Sequence, residues 1–206
     1  MNEEKLIEEI LKLGSDSVEV FSGSYDGGIY LQQKPDEITE LILLLSNKKY
    51  ENFLEIGAVG GGNMYVFNKF LDIENNTIID DNQHNKHQFR NEILKNVDYD
   101  EWIGDSQSIE AQNFIKNKNI EFDLIFIDAD HSYEGVKNDT YNFYQFAKKG
   151  AYIIFHNTIH CVGVKKWVNE LSNNIIPDIE SVISIVGGKY PTDAISCCGI
   201  GVFRKK

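Results

Sequence analysis

The chain has little that would take it out of water. No apolar run approaches the roughly 20 residues that a membrane-spanning helix needs. Met1-Asn2-Glu3-Glu4-Lys5 lacks the basic start and apolar core of a secretion signal. Cysteine is scarce: Cys161, Cys197 and Cys198 are an odd count, with an adjacent pair and no CxxC. That excludes a disulfide framework and makes the cytoplasm the expected location, with buried or half-buried thiols. Basic residues are short as well, 20 Lys and Arg against 32 Asp and Glu, for a net charge of −12. With no basic stripe, the phosphate contacts that dominate nucleic-acid affinity are missing. Arg204-Lys205-Lys206 reads as a solvated terminus. Neither a nucleic acid nor a membrane is an expected partner. The 206 residues suit one domain.

What the chain does have is alternation. Leu6, Ile7, Ile10 and Leu11 share a face of a helix over 3–13. Residues 15–34 carry Ser22-Gly23-Ser24-Tyr25-Asp26-Gly27-Gly28, read as a mobile lid or a surface connection. The expected organisation is therefore an N-terminal helix and cap over 1–34 and the main domain over 35–206. Pro35-Asp36 opens a helix with Ile38, Leu41, Ile42 and Leu45 inward. Strands then fit Phe53–Ile56, Thr77–Ile79, Trp102-Ile103, Phe122–Ile127 and Ala151–Phe155. Helices fit 63–71, 84–95, 107–118 (with Ile109, Phe114 and Ile115 inward), 133–148 (ended by Gly150) and a last one around Val164, Trp167, Val168 and Leu171. Ser181–Val186 and Gly199–Phe203 suit two final strands, one antiparallel. This order implies an α/β fold: a doubly wound, mostly parallel, seven-stranded Rossmann-like sheet with an antiparallel last strand and helices on both faces.

In such sheets ligands bind beyond the carboxyl ends of the strands. That rule gathers Glu55 with Gly57, Asp80, Asp105, Asp128 with His131, and His156 with Asn157 at one edge. The run Glu55-Ile56-Gly57-Ala58-Val59-Gly60-Gly61-Gly62-Asn63 would let the backbone turn sharply and approach a small molecule closely. It does not fit the G-x-G-x-x-G of nicotinamide sites. Gly57 is followed by Gly60, and after Gly60-x-Gly62 the place of the final glycine is taken by Tyr65. Glu55 would also repel a pyrophosphate.

From about residue 35 to its end the chain resembles the class I S-adenosylmethionine-dependent methyltransferases. Glu55-Ile56-Gly57-x-x-x-Gly61 resembles their first motif, Asp80 the acid that holds the ribose hydroxyls, and Gly104-Asp105-Ser106 the segment beside adenine. The resemblance implies S-adenosylmethionine as cofactor, bound through Glu55, Gly57, Gly61, Asn63, Asp80, Asp105, Ser106 and Asp128. Phe126-Ile127-Asp128-Ala129-Asp130-His131-Ser132-Tyr133 and Ile153-Ile154-Phe155-His156-Asn157-Thr158 resemble the cation-dependent O-methyltransferases of the catechol and caffeoyl-CoA type. There, an Asp after the fourth strand and an Asp-Asn pair after the fifth hold a divalent metal. Asp128 and Asn157 match the first and last of these, while His156 replaces the middle Asp. His131 stands where the caffeoyl-CoA group has Lys. Sugar and glycan O-methyltransferases carry a similar Asp-x-Asp-His-x-Tyr segment.

Magnesium prefers oxygen ligands, and an imidazole favours manganese, iron or zinc. Three readings stay open. Asp128, His156 and Asn157 bind a divalent cation; or no metal is bound, and His131, then His156, is the general base; or His156 only caps its strand. The expected reaction is methyl transfer to a hydroxyl of a small molecule or glycan, with Asp128, His131 and His156 as catalytic residues. The rivals are a non-catalytic binding or assembly protein and an N-methyltransferase. The Asn/Asp-Pro-Pro-Tyr/Phe motif of adenine N-methylation is absent after Ile127. Tyr25, Tyr30, Trp167 and Tyr190 are candidates for an aromatic acceptor wall, and His84 with His87 for a metal pair or a solvated face. A homodimer is in keeping with the resembled families.

Overall fold

The computed structural model describes residues 2–14, 28–187 and 198–206. The elements run α1 (Glu3–Leu13), α2 (Pro35–Leu45), β1 (Lys49–Ile56), α3 (Gly62–Phe70), β2 (Asp72–Asp80), α4 (Arg90–Ile93), β3 (Asp100–Ile103), α5 (Ile109–Lys118), β4 (Phe122–Ile127), α6 (Tyr133–Phe143), β5 (Ala147–His156), α7 (Val162–Ser172), β6 (Ile179–Ile185) and β7 (Ile200–Lys205). Seven strands form one sheet in the order β3-β2-β1-β4-β5-β7-β6. All pairings are parallel except those of β7, which runs antiparallel to both β5 and β6. The expected fold class is the observed one.

Strand periodicity sorts the core into two layers. On β4, Leu124 and Phe126 face one side, with Phe53, Phe67, Ile38 and Leu41. Ile125 and Ile127 face the other, with Leu54, Val136, Trp167 and Leu171. A strand buried on both faces must read as a continuous apolar run, which is why Phe122–Ile127 was legible in sequence. Each fully buried side chain of this kind contributes roughly 1.5–3 kcal/mol. No helix among the described residues is long and apolar enough to cross a membrane.

Four expectations need correction. The helix over 133–148 stops at Phe143, followed by a short 3-10 turn, Tyr144–Phe146. Ala147 already pairs with Phe122 in the sheet, so Gly150 (φ +82°) lies inside β5 at a register shift and does not end a helix. Residues 84–95 form a 3-10 turn, Asn85–Phe89, and then the single turn of α4. Ile109, expected inward, is 59% exposed. Ser108 caps α5 by accepting the Ala111 N–H, and this start turns Ala111 and Ile115 to the core instead. Strands β1 and β2 also begin several residues earlier than their apolar runs, because their mostly polar first halves are held by the ladder and by side-chain hydrogen bonds such as those of Asp123 with the Glu51 and Asn52 N–H groups, with Tyr50 buried among them.

The N-terminal helix is part of the main core: Leu6 and Ile10 pack with Ile38 and Leu41. Gly14 and Gly28 bring the ends of the intervening segment together, through Ile29 N–H to Leu13 O (3.0 Å) and Leu31 N–H to Gly14 O (3.2 Å). A Cβ on Gly28 would lie 2.0 Å from Leu13 O. Most of the expected lid, with Tyr25, and Tyr190 of the late loop lie outside the described residues.

Candidate functional site

The strand ends enclose a cavity of about 970 Å³. Gly57, Val59, Asp80, Asp105, Ser106, Asp128, His131, His156 and Asn157 all line it. The order of strands reverses between β1 and β4, so the cavity opens at the topological switch point, where such sheets bind ligands. Its size is that of a site for a small organic ligand.

One half of the cavity is built on the glycine turn. Gly57 (φ +84°) is a true close approach, but to protein: a Cβ there would lie 2.3 Å from the Asp128 carbonyl oxygen. The turn runs over Val59, whose φ of +50° is strained for a β-branched residue. Both its backbone groups are pinned. Its N–H donates to Asp80 Oδ2 (2.8 Å), and its carbonyl accepts from Arg90 Nε (2.9 Å). Asp80 also accepts the Asn82 N–H (2.7 Å) and pairs with the buried Arg90 (2.8 Å). Asp80 thus holds the turn as well as lining the cavity, and Asp81 lines it beside Asp80. Gly61 packs on Leu94. Glu55 and Asn63 are buried beneath the turn, with Asn63 Nδ2 donating to Glu55 Oε1 (2.9 Å). Burial pushes the Glu55 carboxyl up to about 8, against the lowering effect of Asn63. Ser106 Oγ donates to Asp139 Oδ1 (2.7 Å) on α6, where burial raises Asp139 to about 7 despite that bond.

The other half is built on Asp128. Its Oδ1 lies 3.0 Å from His131 Nε2 and 3.4 Å from Asn157 Nδ2. Its Oδ2 lies 3.0 Å from His156 Nδ1 and accepts from Gln33 Nε2 (3.2 Å). Burial would raise this carboxyl, but the His156 charge and the hydrogen bonds from both histidines hold it at about 2. Burial likewise works against the His156 charge, yet Asp128 overcomes it and raises His156 to about 10. His131 is exposed to the cavity, whereas His156 is only 3% exposed. The four residues singled out in the sequence, Asp128, His131, His156 and Asn157, lie together around this carboxylate. The sequence reading missed Gln33, which follows no motif and arrives from the segment before α2.

The metal set Asp128, His156 and Asn157 does not fit a cation as these side chains stand. An ionised carboxylate only accepts, so His156 Nδ1 must carry the proton it gives to Asp128 and offers no lone pair. His84 and His87 are joined to each other, His87 Nδ1 to His84 O (2.7 Å). Trp167 is fully buried, with Nε1 donating to Thr140 Oγ1 (2.8 Å), and is no acceptor wall. Tyr30 stacks on Phe89 at 4.8 Å.

The family profile described as "Methyltransferase domain" matches residues 54–158, from the core of β1 through β5. The chain belongs to this family. Its sheet is the Rossmann-like sheet of class I S-adenosylmethionine-dependent methyltransferases. It is similar to an O-methyltransferase from Bacillus cereus solved with SAH (17% identity, TM-score 0.65, covering 98% of this chain and 91% of that one). It is also similar to TomG from Streptomyces achromogenes, an O-methyltransferase of tomaymycin synthesis solved with SAM (15%, 0.68, 100% and 99%). The N-methyltransferase NodS from Bradyrhizobium japonicum matches about as well (14%, 0.63, 100% and 99%). The fold therefore leaves the accepting atom open. The uncharacterized protein R132 of Acanthamoeba polyphaga mimivirus is 26% identical over 169 residues, which span 82% of this chain and 60% of that protein.

Proposed function

We propose that this methyltransferase domain binds S-adenosylmethionine and methylates a hydroxyl of a small molecule or sugar, with His131 as general base. The observation that carries the reading is the His131–Asp128 pair, an imidazole open to the cavity and held at 3.0 Å by a buried carboxylate. S-adenosylmethionine supplies, when bound, an electrophilic methyl carbon on a sulfonium. The residues that would hold it line the other half of the cavity: Gly57 and Val59 by their backbone, Asp80 and Asp81 toward a ribose diol, Asp105 and Ser106 toward adenine. The cavity fits this molecule in size, and its acidic rim suits a cation.

A hydroxyl must shed its proton as its oxygen is methylated. His131 can take that proton at one nitrogen while its other donates to Asp128, which orients the ring and stabilises the imidazolium. Gln33 and Asn157 add donors to Asp128 and keep it an acceptor throughout. His156, buried and paired through Nδ1, positions Asp128 and does not touch the acceptor in this reading. A neutral amine is nucleophilic enough to attack before it sheds a proton, whereas a hydroxyl gains more from a fixed base, which favours oxygen.

Calorimetry with S-adenosylmethionine, followed by labelled-methyl transfer to phenols, catechols and sugars, tests the proposal. The expected result is saturable binding in both wild type and His131→Gln, with transfer about 10²–10³-fold slower in the variant. An absence of heat at millimolar ligand would sink it. Transfer to amines alone would move the acceptor to nitrogen.

A further inference from the structure

The second oxygen of Asp128 leads, through His156, to a group the transfer reaction does not use. One carboxylate oxygen of Glu37, one ring nitrogen of His156 and the Cys198 sulfur all lie within 4.8 Å of one another. The three come from different elements: the first turn of α2, the last residue of β5 and the approach to β7. The backbone fixes their meeting. Thr158 N–H donates to Gly199 O (3.2 Å) and Ile159 N–H to Cys198 O (3.0 Å), while Gly199 N–H donates to Glu37 Oε1 (2.9 Å). Glu37 Oε2 is buried and without a hydrogen-bond partner, and His156, with Nδ1 taken by Asp128, has the Cys198 sulfur as its other polar neighbour. Glu37 is fully buried and His156 nearly so. A buried polar atom left unmatched costs roughly 1–3 kcal/mol, and an ion shared by the three neighbouring groups would satisfy it.

We propose that Glu37, His156 and Cys198 form a binding site for one divalent cation of the zinc class. The donor set is one carboxylate oxygen, one imidazole nitrogen and one thiolate, a mixture that suits zinc and disfavours magnesium or calcium. Bonds of about 2.0–2.3 Å place tetrahedral ligands roughly 3.3–3.8 Å apart, so a small contraction, available to the half-exposed Cys198, closes the set. Glu37 and the thiolate together balance the two positive charges. The proton on His156 Nδ1, which bars the ion from the Asp128 side, is what a ligating histidine ordinarily has, its other nitrogen donating to a carboxylate that fixes ring and tautomer, and binding of the ion at Nε2 releases the second ring proton to solvent. Three protein ligands leave a fourth position, and His156 and Cys198 both line the cavity, so that position is on the cavity side. The cation site is independent of the methyl-transfer reading.

The test is titration of the chelator-stripped full chain with cobalt(II), a coloured reporter for tetrahedral zinc sites. The expected result is about one equivalent bound, with visible d–d bands, a near-ultraviolet thiolate charge-transfer band and displacement by zinc. Cys198→Ser, a one-atom change at a half-exposed position, should remove the charge-transfer band and weaken binding at least about tenfold while circular dichroism stays unchanged. Asp128→Asn should weaken binding about tenfold through the loosened ring. Cys161→Ser should leave the band in place. No cobalt bound by the wild type, or a band that survives Cys198→Ser, overturns the proposal.

Discussion

Glu55 and Asp128 are both buried carboxylates at the ends of neighbouring strands, with Glu55 paired to Phe126, two residues before Asp128. Their chemistry is opposite. Glu55 has one side-chain donor, Asn63, and an unpartnered Oε2, so burial wins and its carboxyl rises to about 8. Asp128 has four side-chain neighbours that can donate, two of them histidines, so it stays ionised down to about 2. Glu55 is the deeper of the two, but charge decides: the His156 cation, helped by the added donors, outweighs burial at Asp128, whereas Asn63 and the Arg90 charge do not outweigh it at Glu55. A carboxylate that remains charged in a dry site can fix a base, whereas one that takes up a proton loses that charge and becomes a neutral donor and acceptor.

The sharpest way to break the comparison is Asp128→Asn, which keeps the shape and removes the charge. It should lower methyl transfer by about 10³–10⁴-fold, read as turnover at saturating methyl donor. His131→Gln should cost about 10²–10³-fold and abolish the histidine limb of the pH–rate profile, with donor affinity unchanged. A next test uses stability. Because the folded Glu55 pKa is raised above its ordinary value of 4.5, the folded state holds the proton more tightly. Stability should therefore fall as pH rises from about 5 through about 8, by on the order of 5 kcal/mol, and Glu55→Gln should flatten that slope in urea melts. Asp128, with its lowered pKa, should show the reverse: its contribution is present above about 4 and lost as pH falls toward 2. Ser106→Ala, which strips Asp139 of its donor, should cost about 1–3 kcal/mol in the same melts. The smallest effect is expected at the exposed Ile109, where Ile109→Lys should stay within about 0.5 kcal/mol.

Much of this site could be read without coordinates, because each residue follows an apolar run. Asp80, Asp105, Asp128 and His156 are strand ends, and β-period burial marks strand ends. The glycine turn was legible as a turn but not in its purpose. Gly57 gives way to the Asp128 backbone and Gly61 to Leu94, so these glycines serve packing as much as any ligand. The helix over 133–148 was overrun because its last residues are as helix-compatible as strand-compatible. Pairing of Ala147 with Phe122, a contact across the fold, settled the matter. Gln33, Glu37, Arg90 and Cys198 carry no local signal at all.

The sequence by itself determined the order of strands and helices and the row of polar strand ends, since both follow from local periodicity and from the rule that buried strands emerge at one edge. Only the tertiary structure decided which nitrogen of His156 meets Asp128, and that its other neighbours are Glu37 and Cys198. Those contacts join four separate parts of the chain, 28 positions apart for Asp128 and His156 and over a hundred for Glu37 and His156. They depend on how α2, β5 and β7 are brought side by side, which side-chain spacing along the chain does not encode.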